Sequence, residues 1–182
     1  GYFGHMWELY AVWTWIPAYL VASIAANGGS GASSGVASLL AFSAIAVGGV
    51  GAVSAGVAAD RFGRTTVTIV SMGISGVACV AAGLLFGSSL YLLAPFVLIW
   101  GVAIVADSAQ FSAAVSELAE ESYVGTALTL QTAIGFLLTT ISIQLIPVVV
   151  DIVGWRWAFA PLAIGPAIGT LSMLRLRGLP DA

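Results

Sequence analysis

Six runs of apolar residues, each long enough to cross a lipid bilayer, follow one another with little polar sequence between them. A bilayer core needs roughly 20 residues of helix, and the runs fall near 5–26, 35–59, 65–87, 90–115, 124–150 and 155–177. Inside lipid every backbone N–H and C=O must find its partner within the protein, which leaves only helices or closed barrels. The alternating pattern of barrel strands is absent, so the spacing predicts an all-α membrane protein of six transmembrane helices. Only 7% of the residues are charged, against about 25% in a soluble domain. There is no basic patch of the kind that binds nucleic acid. Cys79 stands alone in an apolar run, which argues against a disulfide framework or a cysteine metal site and makes it a small packing residue. No cofactor, metal or catalytic residue is implied.

The connectors are short, at 27–34, 56–64, 87–89, 117–123 and 151–154. Arg61, Arg64, Arg175 and Arg177 share one side of the bundle, and Arg156 alone marks the other. The bias of basic residues toward the cytoplasm therefore predicts that the second connector, the acidic fourth connector and the C-terminus are cytoplasmic. The expected location is an inner (cell) membrane of bacterial type, with the lipid bilayer as the constant partner.

The second connector reads Gly56-Val57-Ala58-Ala59-Asp60-Arg61-Phe62-Gly63-Arg64. Gly56 would let two helix ends approach, and Gly63 can take the positive φ of a tight reversal. The pattern Gly-x-x-x-Asp-Arg-x-Gly-Arg, at Gly56, Asp60, Arg61, Gly63 and Arg64, resembles the loop between the second and third helices of a six-helix half in the major facilitator superfamily. Ala58 and Thr65 depart from it, where the family usually has a leucine and a further base. Gly154-Trp155-Arg156-Trp157-Ala158-Phe159 resembles the entry to the last helix of such a half. The chain thus resembles one half of a major-facilitator bundle. It begins its first span at Gly1-Tyr2-Phe3-Gly4-His5, and Gly178-Leu179-Pro180 breaks the helix after Arg175-Leu176-Arg177. The expectation is the C-terminal half of a twelve-helix transporter whose partner is the N-terminal six-helix half. A natural six-helix chain that pairs with a second copy of itself is the alternative.

Span one carries His5, Glu8, Val12, Trp15 and Tyr19 on one helical stripe. An acid within a span costs about 2.5–3.5 kcal/mol on insertion scales, so Glu8 is a candidate for a substrate or proton path if its stripe faces water. Otherwise Glu8 sits near the cytoplasmic interface with Trp7, Tyr10 and Trp13 as an aromatic belt. His5 reads as interfacial, and Pro17 as a kink. In span two, Ala44, Gly48, Ala52 and Gly56 form a small-residue seam. In span four, Trp100, Asp107 and Phe111 share a stripe with Gln110 at its edge. Asp107 must face a cavity or pair with a neighbour, for which serines are the bland choice. The resemblance implies that the first, second, fourth and fifth helices line the central path, which favours a cavity role. Gln131 of span five, with Gly135, Leu138 and Ser142, is a further candidate ligand group or a helix–helix hydrogen bond.

At the cytoplasmic end of span four, Glu117 precedes Glu120 and Glu121, and the resemblance implies that Arg64 meets Glu117. Asp60 would face a helix of the other half. Gly73-Ile74-Ser75-Gly76 resembles the serine motif of rhomboid proteases, also six-helix bundles. Their histidine comes from a later span, however, and His5 is the only histidine here, far upstream. Without a base Ser75 has no activation and is expected to pack, so no enzyme is implied. The sequence supports a secondary active transporter of a small solute by alternating access, with proton coupling resting on Glu8 and Asp107. The rival is a structural or assembly membrane protein, in which those acids would be satisfied internally with no solvent-reachable cavity. Nothing resembles a channel's selectivity filter.

Overall fold

The computed structural model describes residues 1–29 and 33–178. Part of the 27–34 connector and the Leu179-Pro180 helix breaker fall outside the described residues. Seven α-helices occur among those described: α1 (Tyr2–Ala26), α2 (Ser33–Phe62), α3 (Arg64–Leu85), α4 (Leu90–Ala106), α5 (Ser108–Leu118), α6 (Val124–Val153) and α7 (Ile164–Arg177). They make six spans long and apolar enough to cross a membrane, because α4 and α5 together form the fourth span, Leu90–Leu118.

Three boundaries differ from the sequence reading. The 56–64 connector is helical up to Phe62, and only Gly63 leaves the helix. At φ +84° it makes the whole reversal in one residue, a conformation that costs a side-chain-bearing residue but not glycine. Gly56 lies in open space and permits no close approach within this unit. The fourth span is not continuous to 115 but turns at Asp107, which ends α4 and begins α5. The sixth span enters through two 3-10 turns, Trp155–Trp157 and Ala160–Ala163, before α7 begins. By contrast, α1 runs unbroken through Pro17.

α1 packs against α2, α6 and α7, while α2 packs along α4 and α3 along α7. The small-residue seam of α2 closes on α4 through Ala44, Gly48 and Gly51 rather than through Ala52 and Gly56. A Cβ built on Gly101 would lie 2.1 Å from the Ala44 carbonyl oxygen, and one on Gly51 would lie 2.4 Å from that of Val102. The backbones touch there, which is how helices attract where lipid removes any hydrophobic incentive to associate. The interior holds Leu9, Val12, Ile16 and Leu20 of α1 against Val97, Trp100 and Ile104 of α4 and Phe159 of the sixth-span entry. Trp155 packs on Trp15, with ring centroids 6.2 Å apart, so the aromatic entry is anchored to α1. Arg156 and Asp151 are both exposed.

Candidate functional site

Two polar clusters lie inside the unit, and a third closes the end at which α3 begins. The first is centred on Glu8, which is 2% exposed. Its Oε1 accepts hydrogen bonds from Ser75 Oγ of α3, from Trp100 Nε1 of α4 (3.1 Å) and from Cys79 Sγ (3.2 Å). Trp100 Nε1 also donates to Ser75 Oγ at 3.2 Å. Ser75 and Cys79 stand one turn apart on α3, so a single face of that helix presents both donors. Glu8 therefore joins three helices from within, and its stripe faces the packed interior rather than a wet cavity. The reason is helical phase: α1 has packed neighbours on most sides, and the His5–Glu8–Val12–Tyr19 face is the one they enclose.

The same phase removes two other candidates from a solute path. Tyr19 is fully buried and its hydroxyl donates to the Ala82 carbonyl at 2.6 Å. Half-buried Trp15 donates from Nε1 to the Ile143 carbonyl at 2.9 Å, tying α1 to α6.

The second cluster lies about one turn nearer the start of α1. His5 is 3% exposed rather than interfacial, and its Nδ1 stands 2.9 Å from Asp107 Oδ1. The approach is at ion-pair distance but outside hydrogen-bond alignment. Nε2 of His5 lies 2.9 Å from Ser108 Oγ, and its ring packs near that of Phe111 at 5.6 Å. Asp107, 2% exposed, thus neither faces a cavity nor leans on serines alone. It pairs with a histidine at the turn between α4 and α5.

The third cluster is a clasp. Arg64, first residue of α3, donates from Nη2 to Glu117 Oε1 at 2.7 Å and from Nε to Oε2 at 3.0 Å. The fork matches the carboxylate edge to edge, the geometry that distinguishes arginine from lysine. Its Nη1 donates to Gln110 Oε1 at 3.1 Å. Gln110 is buried and belongs to this clasp rather than to a solute path. Both acceptors of the clasp, Gln110 and Glu117, lie on α5, which begins just after Asp107, so the second and third clusters meet on one short helix.

Asp60 and Arg61 are exposed beside the clasp, with the Arg61 guanidinium 5.5 Å from the Phe62 ring. Gln131 lines an open cleft of about 610 Å³ with Phe3, Phe111, Leu118 and Met173. That cleft brings the last turns of α5 and α7 together, so the clasp and the end of α7 lie at the same end of the bundle. Gly135 packs against Tyr2 and Met6 of α1, and Ser142 is buried.

Sequence reasoning missed Ser75, Trp100 and His5 as partners of the two acids. The available signal was a requirement rather than a motif: a carboxylate held in an apolar span must find donors. Ser75 bonds an acid and an indole, so its neighbours are those of a structural hydroxyl. Among the described residues no group of three or more metal-ligating side chains converges.

A family model described as Major Facilitator Superfamily matches residues 1–182. Neither a search of curated proteins nor one of solved structures finds a match.

Proposed function

We propose, on the premise that the chain belongs to the Major Facilitator Superfamily, that it is the C-terminal six-helix half of a secondary active transporter. Membership supports a multi-pass membrane transporter of small molecules. Our reading adds that this unit rocks against a second six-helix unit, the N-terminal half or another copy, around a solute held between them. The bilayer is the inner membrane of a bacterium, and the clasp and C-terminus face the cytoplasm, where the basic residues concentrate.

The observation that carries this reading is the Arg64 clasp. It joins the reversal between spans two and three to the end of span four by contacts at 2.7–3.1 Å. Its charged side chains are 38% and 57% exposed, so water can replace them when the ends part. A contact that exists in one arrangement and is hydrated in the other biases a two-state equilibrium. The test uses the full-length transporter in liposomes, with spin labels at the cytoplasmic ends of the two halves. Glu117→Arg should shift the distance distribution toward the cytoplasm-open form and lower uptake, and adding Arg64→Glu should restore both. If the single and double variants match the wild type in distances and uptake, the clasp does not gate transport.

Proton coupling is a second reading, favoured by the His5–Asp107 pair at the turn within span four. Water would reach it, and Glu8, only in another conformation of the half. Uptake driven by a pH gradient should be lost when Glu8→Gln and Asp107→Asn are combined, and unchanged uptake would remove the idea. The internal satisfaction of Glu8 is what a non-transporting membrane protein would also display; family membership favours transport over it.

A further inference from the structure

α3 and the sixth span run antiparallel in a register that their glycines fix. Gly169 faces Met72, Gly76 faces Pro166 and Gly83 faces Trp157, so each step forward on α3 is matched by one step back along the sixth span. Continued outward, this register sets Arg175 and Arg177, in the last turn of α7, beside the first turn of α3, which begins at Arg64.

Along the seam the two helices leave an open groove of about 690 Å³. Its cause is side-chain size: Gly73, Gly76 and Ala167 leave space that larger residues would fill. Among the lining residues, Val77, Leu84 and Leu171 are exposed and apolar, as residues that meet hydrocarbon should be. From Met72 to Leu84 the groove runs about 18 Å, and the hydrocarbon of one leaflet is about 15 Å deep. Met72 lies about 12 Å beyond the start of α3. The headgroup layer takes up about 5–8 Å of that, so the groove lies at the depth of acyl chains.

The charges at the head of the groove have one sign. α3 and α7 carry no acid, and their ionised groups are Arg64, Arg175 and Arg177. Arg64 is taken by Glu117, whereas Arg175 and Arg177 are exposed. Seven residues make two helical turns, so Arg177 stands on the same stripe as Thr170, which lines the groove. Thr170 is also the polar side chain of that lining with its hydrogen bond unspent. Its enclosed Oγ1 has no partner among the described residues, while Thr14, Thr68 and Thr140 donate to carbonyls of their own helices. A helical threonine divides between two χ1 wells, so rotation can offer this hydroxyl to an ester carbonyl.

An apolar slot of leaflet depth, an unspent hydroxyl above its middle and two arginines at its head specify one occupant. We propose that the α3–α7 groove holds an anionic phospholipid, one acyl chain along the slot and the phosphate on Arg175 and Arg177. Guanidinium groups match phosphate oxygens in a two-point fork. A zwitterionic lipid brings a cation of its own to the two arginines, and a detached phosphate leaves the groove unused. A second copy docked through the same face would set like charges against each other, since a two-fold interface pairs identical patches. From the transporter reading this takes only that the end of α7 faces the cytoplasm, the side on which anionic lipids concentrate.

The test uses the full chain in nanodiscs containing phosphatidylglycerol or phosphatidylcholine with a diazirine in the acyl chain, and adducts are located by peptide mass spectrometry after irradiation. Phosphatidylglycerol should label residues 72–84 and 163–171 roughly tenfold more than phosphatidylcholine, each arginine contributing a factor of about five. Arg175→Gln combined with Arg177→Gln should bring the two lipids level, and Arg175→Lys with Arg177→Lys should keep the preference. If the glutamine pair is not monodisperse, Arg177→Gln alone should lower the preference about fivefold. Gly73→Leu, whose side chain enters open space in the groove, should lower labelling by both lipids. Inorganic phosphate in millimolar excess should leave labelling unchanged. Equal labelling by the two lipids, a preference that survives loss of the arginines, or unchanged labelling in Gly73→Leu overturns the proposal. So does displacement by inorganic phosphate, which would reveal a site for a free anion, or an absence of adducts in these stretches, which would mean that protein covers the groove. None of these readouts involves uptake, so loss of the lipid site would leave the transporter reading standing, and loss of clasp-dependent uptake would leave the lipid site.

Discussion

Removing the Glu8 carboxylate tests whether three helices are joined from within. In Glu8→Ala, the Ser75 hydroxyl and the Trp100 indole N–H both lose their acceptor. Each unsatisfied buried donor costs about 1–3 kcal/mol, so two cost about 4 kcal/mol at mid-range. The Cys79 thiol is a weak donor and adds little. For a unit of this size each kcal/mol moves the melting midpoint about 2–4 °C, giving a fall of about 8–16 °C. Glu8→Gln keeps an oxygen in place for the same donors and burdens the site only with its own NH₂ group. It should cost about 1–2 kcal/mol, or a few degrees. The assay is thermal unfolding in detergent, followed by the fraction remaining monodisperse. The ordering is the test: if alanine and glutamine variants melt together, or alanine melts with the wild type, the carboxylate is not what satisfies Ser75 and Trp100.

Other perturbations act on separate contacts. Gly101→Leu drives a side chain into the Ala44 carbonyl, and overpacking of about 1–3 kcal/mol or more should lower the yield of folded protein, while Gly56→Leu, placed in open space, should not. His5→Leu leaves the Asp107 carboxylate without its ion-pair partner, which costs about 3–5 kcal/mol for a buried pair. The double variant with Asp107→Leu should be more stable than the His5→Leu single, and a double-mutant cycle with strictly additive effects would deny the coupling. Arg64→Lys keeps the charge but loses the fork, so labels across the clasp should report a population between wild type and Arg64→Ala. That population should also move toward the open form as salt rises, since the pair is exposed.

The outline of the bundle was legible because lipid imposes one rule everywhere, and helices of about 20 residues obey it. The reversal at Gly63 and the meeting of Arg64 with Glu117 were legible for a different reason. The reversal rests on the freedom of glycine at positive φ, and the Arg64–Glu117 contact is what the resemblance of the 56–64 connector to the family loop implies. What the sequence left hidden was helical phase. In a soluble protein the polar side of a helix points to water and fixes the rest. Here lipid and core are equally apolar, so the pattern of apolar residues does not say which side is inside. The Glu8–Tyr19 stripe is real but faces the packed interior and not water, and Gln110 is held by the clasp, whereas Gln131 does line an open cleft.

Polar residues can supply the missing phase if they are weighed by what they would lack. A buried glutamate demands donors, and three converge on Glu8 from α3 and α4. A glutamine at Gln144, exposed on α6, demands a polar partner from outside this unit. The two acids are therefore placed by what satisfies them, Glu8 by three donors and Asp107 by His5, while Gln144 of α6 is left exposed. The Arg64 clasp closes on Gln110 and Glu117 of α5, the helix that begins just after Asp107, so the second and third clusters meet on one short element.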